Sequence, residues 1–315
     1  MTLFGVHSDL CYFDAPTRER EIALLAPLGA RVSRSTLVWR DVERSPGVYD
    51  WSVPDAVVNA LRARNAIPLL WVGTWPSWLG GYRGQWTPPT DYLPAVNAYA
   101  RFCALAAKRY KGKVARFEVW NEQNEHYFWG TIAGHDAWPS LHEYAVLYLA
   151  ARQAIHSANP NAHVAVGGLA GLQAGDEAFG SGLGWLSAFL TVVPPRTVQR
   201  VALHPYTSDA QAPDVTREFR DNFSAIGAVR AYLDSIGRSD VKLWVTEWGW
   251  RRDVVGDVLQ AEYVTKSLAM MRALYPYLEV ATYFSDRDKG GVSSGLYAAD
   301  YTARPASVAY RVGVS

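Results

Sequence analysis

Three features of this chain of 315 residues predict its fold class. Short β-rich runs alternate with helical patterns along the whole length, which is the mark of a parallel sheet. Connections from helix to strand are short, whereas the segments that follow strands are long, aromatic and glycine-bearing. The count comes to eight strands and eight helices. Together these predict an α/β protein, a single (β/α)8 TIM barrel spanning residues 1–315, with its site on the C-terminal face. No Pro- or Ser-rich linker divides the chain.

The elements follow in order. Thr2–His7 is the first strand, and a helix over Thr17–Leu28 is stopped by Gly29, a residue suited to a left-handed cap. Ala30–Ser35 is the second strand, with the turn Ser45-Pro46-Gly47 before the helix Pro54–Arg64. The strongly apolar Ile67–Val72 is the third strand, and its loop carries Trp75, Trp78, Tyr82, Trp86 and Pro88-Pro89. Helix Leu93–Tyr110 ends at Lys111-Gly112, and strand four, Val114–Trp120, opens into a loop with His126, Tyr127, Phe128, Trp129 and Trp138. Helix Leu141–Ser157 stops before Asn159-Pro160, because proline cannot continue it. Strand five, Ala162–Val166, runs into a Gly-rich stretch from Gly167 to Gly184. A short helix at Trp185–Val192 leads to strand six, Val198–Leu203, and then His204-Pro205-Tyr206. A helix around Arg217–Ile236 precedes strand seven, Val241–Val245, and helix Leu259–Leu274 follows it. Strand eight is Leu278–Phe284, and the last helix is about Pro305–Arg311.

Composition excludes several classes. With 49% hydrophobic and 19% charged residues the chain is an ordinary globular protein, not a disordered one. A net charge of +1 offers no electrostatic footprint for nucleic acid or an anionic membrane. No apolar run approaches the roughly 18 residues of a membrane span. Because Leu3-Phe4-Gly5-Val6-His7 already reads as strand, no secretory leader is expected; the chain is cytoplasmic as it stands, or secreted if a leader preceded it. Cys11 and Cys103 are expected to be free thiols.

Two stretches carry the chemistry. Arg116-Phe117-Glu118-Val119-Trp120-Asn121-Glu122 and Val241-Lys242-Leu243-Trp244-Val245-Thr246-Glu247 each run as a strand and deliver a carboxylate at the end. Strand ends four and seven lie across the barrel mouth from each other, so Glu122 and Glu247 can face one another. Glycoside hydrolysis needs such a pair flanking the scissile bond. Glu118 and Glu125 compete locally for the role of Glu122, although Glu118 belongs deeper in the barrel, where a paired structural carboxylate is expected. Asn121 can bond a sugar 2-hydroxyl, His204 and Tyr206 can hold a carboxylate's orientation and charge, and Arg34 (or Arg31) can keep one ionised. The loop aromatics Trp75, Trp129, Trp248 and Trp250, with Trp78, Trp86 and Trp138, can stack on sugar rings, which favours endo action on a chain; a pocket for exo cleavage is the alternative.

On these residues the chain resembles clan A of the glycoside hydrolases, and within it family 39 and its relatives. Trp120-Asn121-Glu122, His204-Pro205-Tyr206 and Thr246-Glu247-Trp248-Gly249 carry the resemblance, with Asp50-Trp51, Arg109-Tyr110-Lys111-Gly112 and Arg304-Pro305-Ala306 beside them. It implies a retaining double displacement on β-linked sugars, with Glu122 as acid/base and Glu247 as nucleophile. It also implies Asn121 as the 2-hydroxyl partner, and Tyr206 or His204 beside the nucleophile. Two departures stand out. Gln123 sits where the family's motif has Pro, and Tyr283-Phe284-Ser285-Asp286 replaces the strand-eight Trp that floors the −1 sugar in many members. The family's xylosidases and iduronidases also carry an extra β-domain, for which this chain is too short.

Rival readings have less support. A metal-dependent barrel hydrolase lacks its His-x-His on strand one, which reads His7-Ser8-Asp9, so no metal or other cofactor is expected. Gly167-Gly168-Leu169-Ala170-Gly171 lacks the order of a phosphate-binding loop. A non-catalytic carbohydrate-binding barrel remains a third possibility. The expected partner is a carbohydrate.

Overall fold

A computed structural model describes residues 1–129, 141–171, 182–207, 211–214 and 223–315. Trp138, residues 172–181 of the Gly-rich stretch and the expected helix start at Arg217 lie outside these residues. Eight parallel strands close into a barrel in the order β1 to β8. They are β1 (Leu3–His7), β2 (Val32–Val38), β3 (Ile67–Gly73), β4 (Arg116–Asn121), β5 (His163–Leu169), β6 (Arg200–Leu203), β7 (Lys242–Val245) and β8 (Leu278–Tyr283). The predicted (β/α)8 barrel is the fold of this chain. No helix among the described residues is long and apolar enough to cross a membrane.

Every residue of β2 is buried, as expected where helices cover one face of a parallel sheet and the barrel interior fills the other. Side chains alternate between those two environments. Val32, Leu69, Ala165, Ala202, Trp244 and Val280 pack together as a cluster of their own inside the barrel. By the same alternation Arg34 and Thr36 lie above Val32 on the inner face of β2, and Trp71 lies above Leu69 on β3. The register pairs Thr36 with Trp71 at the top.

Helices form where local chemistry allows. Asp14 caps Ala15–Ala23 by accepting from the Thr17 N–H at 2.9 Å. The single helix expected to Leu28 continues as a separate turn, Leu25–Leu28, which Gly29 ends at φ +67°. Helix Ser52–Ala63 turns Val57, Val58 and Leu61 inward. The helix after β7 begins earlier than expected, at Arg252, and kinks at Gly256, whose φ of 78° is non-helical. β2 and β5 run three residues past their expected ends, to Val38 and Leu169, because ladder pairing at the barrel rim overrides the Ser/Thr and Gly signals that suggested a stop.

Above the strands, rings fill the space between barrel and helices. Trp75 packs against Trp120 (centroids 5.1 Å apart), Trp120 against Trp129 (5.3 Å) and Trp129 against Tyr144 (5.6 Å). A second group joins Trp248 to Tyr283 at 4.7 Å and Trp250 to Phe223 at 5.9 Å. These contacts, mostly edge-on, are typical of aromatic cores. Cys11 and Cys103 are free, as expected.

Candidate active site

The centre of the site is Arg34, which no water reaches. Its guanidinium donates five hydrogen bonds, matching its five N–H groups. Nε and Nη2 fork onto Glu118 at 2.8 and 2.9 Å. Nη2 also reaches Asn121 Oδ1 at 2.7 Å, and Nη1 reaches Glu247 Oε1 at 2.7 Å and His7 Nδ1 at 2.8 Å. Strands β1, β2, β4 and the end of β7 are thereby tied to one cation.

Glu118 is the paired structural carboxylate that its depth suggested. Besides Arg34 it accepts from the Gly168 N–H at 2.7 Å. Glu122 leaves the strand differently. Trp120 and Glu122 have φ values of +68° and +45°, a left-handed geometry that costs non-glycine residues energy and recurs at functional sites. Gly168 C=O accepts the Glu122 N–H at 2.9 Å, which anchors this turn to β5. Its carboxylate Oε1 then meets His204 Nδ1 at 2.6 Å. His204 is held from behind by Thr246 Oγ1, 3.1 Å from Nε2.

Glu247 closes the arrangement. Tyr206 donates its hydroxyl to Oε2 at 2.7 Å while Arg34 holds Oε1. Burial pushes this carboxyl up, but the charges of His204 and Arg34 and the Tyr206 hydroxyl outweigh it, bringing it down to about 2. Burial, with the same anion beside it, pushes the Tyr206 phenol well above its ordinary value. For His204 burial opposes charge, yet Glu247 and the bond to Glu122 raise its pKa. One oxygen each of Glu122 and Glu247 and one His204 nitrogen lie within 4.8 Å of one another. Among the described residues this trio alone has donors spaced for a metal ion. However, the Arg34 guanidinium already sits on Glu247 and opposes a second cation there.

Two glycines make this packing possible. A Cβ on Gly168 would lie 2.0 Å from His204 Nε2, and one on Gly73 would lie 2.3 Å from the Trp71 ring. The carboxylates open into a cleft of about 410 Å³, whose lining includes Asp9, Tyr12, Arg40, Trp71, Trp86 and Phe284. That size suits a small ligand.

Sequence reasoning and structure agree on which residues meet: Glu122, Glu247, Asn121, His204, Tyr206 and Arg34 form one connected cluster. The aromatic expectation needs correction. Trp75, Trp129 and Trp248 are fully buried, so no ring face is left for a sugar. Trp250 is 3% exposed and lines a separate pocket with Tyr206, Val254 and Phe284. Loop tryptophans here fold inward and pack on other rings, Trp129 on Trp120 and Tyr144 and Trp248 on Phe223. The cleft is walled by Trp86, one of the expected loop aromatics, stacked on Trp71 at 6.2 Å, and by Phe284. Trp71 lies within the strongly apolar third strand, where nothing in the sequence singles it out. Its pairing with Thr36, two residues beyond Arg34 on the same face, places it at the cleft, and only the strand register shows this.

No family model matches the sequence, and no curated protein matches it. Solved structures do. A family 39 glycoside hydrolase from the gut symbiont Bacteroides cellulosilyticus superimposes with a TM-score of 0.75 at 19% identity, over 99% of this chain and 63% of that one. Its structural neighbours are glycoside hydrolases. A glucosidase from Croceicoccus marinus gives 0.73 at 16% identity, over 99% of this chain and 67% of its own. Xylanase 10B from Thermotoga petrophila, crystallised with xylobiose, gives 0.66 at 13% identity, over 99% and 93%. At such identities the likeness establishes the barrel fold, and the chain spans under two thirds of the family 39 enzyme.

Proposed function

We propose that this chain is a retaining hydrolase of β-linked glycosides. The observation that carries the reading is the pair Glu122 and Glu247, with oxygens within 4.8 Å across the mouth of the barrel. Carboxyl groups roughly 5–5.5 Å apart suit a double displacement, whereas inversion needs about 6.5–9.5 Å to admit water between them. Their environments divide the labour. Glu247, held as an anion by Arg34 and Tyr206, attacks the anomeric carbon and forms a glycosyl ester. Glu122 gives its proton to the leaving oxygen, then takes one from the water that hydrolyses the ester. The Asn121 amide, turned by Arg34 so that its oxygen is occupied, presents its NH2 to the sugar's 2-hydroxyl.

With the loop tryptophans buried, the argument for endo action loses its footing, and product length decides the mode of cleavage. The test is a panel of aryl β-glycosides and soluble β-glycans, run on wild type and Glu247→Gln. Wild type should cleave at least one, and the variant should lose on the order of 10⁴-fold in kcat. Released monosaccharide assigns exo action, longer oligosaccharides endo action. Sugar binding without turnover by wild type would reassign the protein as a carbohydrate-binding barrel.

A further inference from the structure

His7-Ser8-Asp9, at the end of β1, plays no part in the reading above, yet it touches the centre of the site. Arg34 has only donors, so the His7 Nδ1 atom lying 2.8 Å from Nη1 must offer its lone pair. The His7 proton then sits on Nε2, which is 3.0 Å from Asp9 Oδ1. The hydrogen bond at one ring nitrogen fixes the state of the other. We propose that Asp9 is a positioning residue: by accepting from His7 Nε2 it keeps the Nδ1 lone pair on Arg34, and so keeps Arg34 Nη1 on Glu247.

The surroundings hold Asp9 to this task. Lys289 Nζ lies 3.8 Å from Asp9 Oδ2 and 3.1 Å from Asp286 Oδ1, bracing the carboxylate from the loop after β8. Ser8 N–H donates to Arg34 C=O at 2.9 Å, Ser35 Oγ donates to Ser8 C=O at 2.8 Å, and Ser8 Oγ donates to Asp286. The segment is therefore fixed to β2 and to the β8 loop. With the other tautomer, Nδ1–H would face Nη1–H across 2.8 Å, and the guanidinium nitrogen shared with Glu247 would have to move.

The kinetic half of this inference rests on Glu247 being the nucleophile; the tautomer half does not. The experiment uses ¹⁵N-histidine NMR of the free protein, with His7 assigned from its absence in His7→Gln, beside kinetics of Asp9→Ala and Asp9→Glu. Wild type should show His7 with an unprotonated Nδ1 and a protonated Nε2. Asp9→Ala should lose that pattern and about tenfold to a hundredfold in kcat, with KM changed less than about threefold. Asp9→Glu should restore part of both. A protonated Nδ1 in wild type overturns the proposal, as does an Asp9→Ala variant that keeps the tautomer, or one that loses it at unchanged kcat. A raised KM with an unaltered tautomer would make Asp9 a substrate contact instead, which also overturns it. If wild type cleaves no glycoside, the reading of Glu247 fails, and the His7 resonances alone decide whether Asp9 sets the tautomer.

Discussion

Replacing Arg34 by Met would test the centre of the site through stability. Methionine keeps much of the volume but removes the charge and all five donors. Glu118, fully buried, would retain only the Gly168 N–H at 2.7 Å and Thr246 Oγ1 at 3.4 Å. Glu247 would retain the Tyr206 hydroxyl at 2.7 Å. Removing one partner of a buried ion pair costs about 3–5 kcal/mol, because the other charge stays buried without its counter-ion. Unfolding entropy of about 2.1 cal/mol/K per residue gives roughly 0.66 kcal/mol/K over this length, so Tm should fall by about 5–8 °C at pH 7. The pH dependence has a definite sign. In wild type the Glu247 carboxyl is depressed from 4.5 to about 2, so its contribution is whole above 4.5 and is lost only as pH falls through about 2. Between pH 7 and 5 wild type therefore gains nothing from this group. In the variant the Glu247 carboxyl loses one of the charges that hold it down and titrates higher than in wild type, so the difference in stability closes as pH falls from 4.5 toward 2. Thermal unfolding of both proteins across that range should show the gap narrowing. A variant within about 1.5 °C of wild type at pH 7, or a gap independent of pH, would refute the assignment of Arg34 as counter-ion to both carboxylates.

Three further outcomes are expected. Tyr206→Phe removes one hydrogen bond to an ion, worth about 1.5–3 kcal/mol, so kcat should fall on the order of 10- to 100-fold. The acid limb of kcat/KM should also move up as the Glu247 carboxyl rises from about 2; an unmoved limb would separate Tyr206 from the nucleophile. Gly168→Ala places a Cβ 2.0 Å from His204 Nε2, and should lower Tm by about 2–5 °C and displace the imidazole from Glu122 with loss of activity. Wild-type activity and folding would contradict that packing. Millimolar EDTA should leave hydrolysis unchanged, and activity restored only by added metal would move the trio Glu122, His204 and Glu247 to a metal role.

How far the sequence was readable depends on what each residue answers to. Glu122 and Glu247 were visible because a carboxylate at the end of an apolar strand has no packing reason to be there. Arg34 was visible for the same reason, as a charge following Val32 on a buried strand. Which of the loop tryptophans would face the cleft was not, since a ring in a loop serves as a lid on the core or as a platform in a cleft with the same local pattern. Trp75 and Trp129 went to the first use, while Trp71 and Trp86 line the cleft. Gly167 and Gly168 looked like loop chemistry, yet both lie within β5, where Gly168 clears the space His204 occupies. Only the three-dimensional neighbour explains such a glycine, and His204 is far away in sequence.

Glu118 and Glu122 make the clearest case for environment over residue type. They are the same side chain four positions apart, one inside β4 and the other just past its end. Glu118 is saturated by the Arg34 fork and a backbone N–H and is closed off from solvent. The left-handed turn at Trp120 and Glu122 breaks the strand's alternation, and Glu122 lines the open cleft with a titratable imidazole at 2.6 Å as its charged-state partner. A group that must give and take a proton in each turnover has to be reachable and unsaturated, and Glu122 alone of the two meets both conditions. The backbone strain at that turn is therefore placed where a regular strand would have left the second carboxylate pointing into the barrel beside the first.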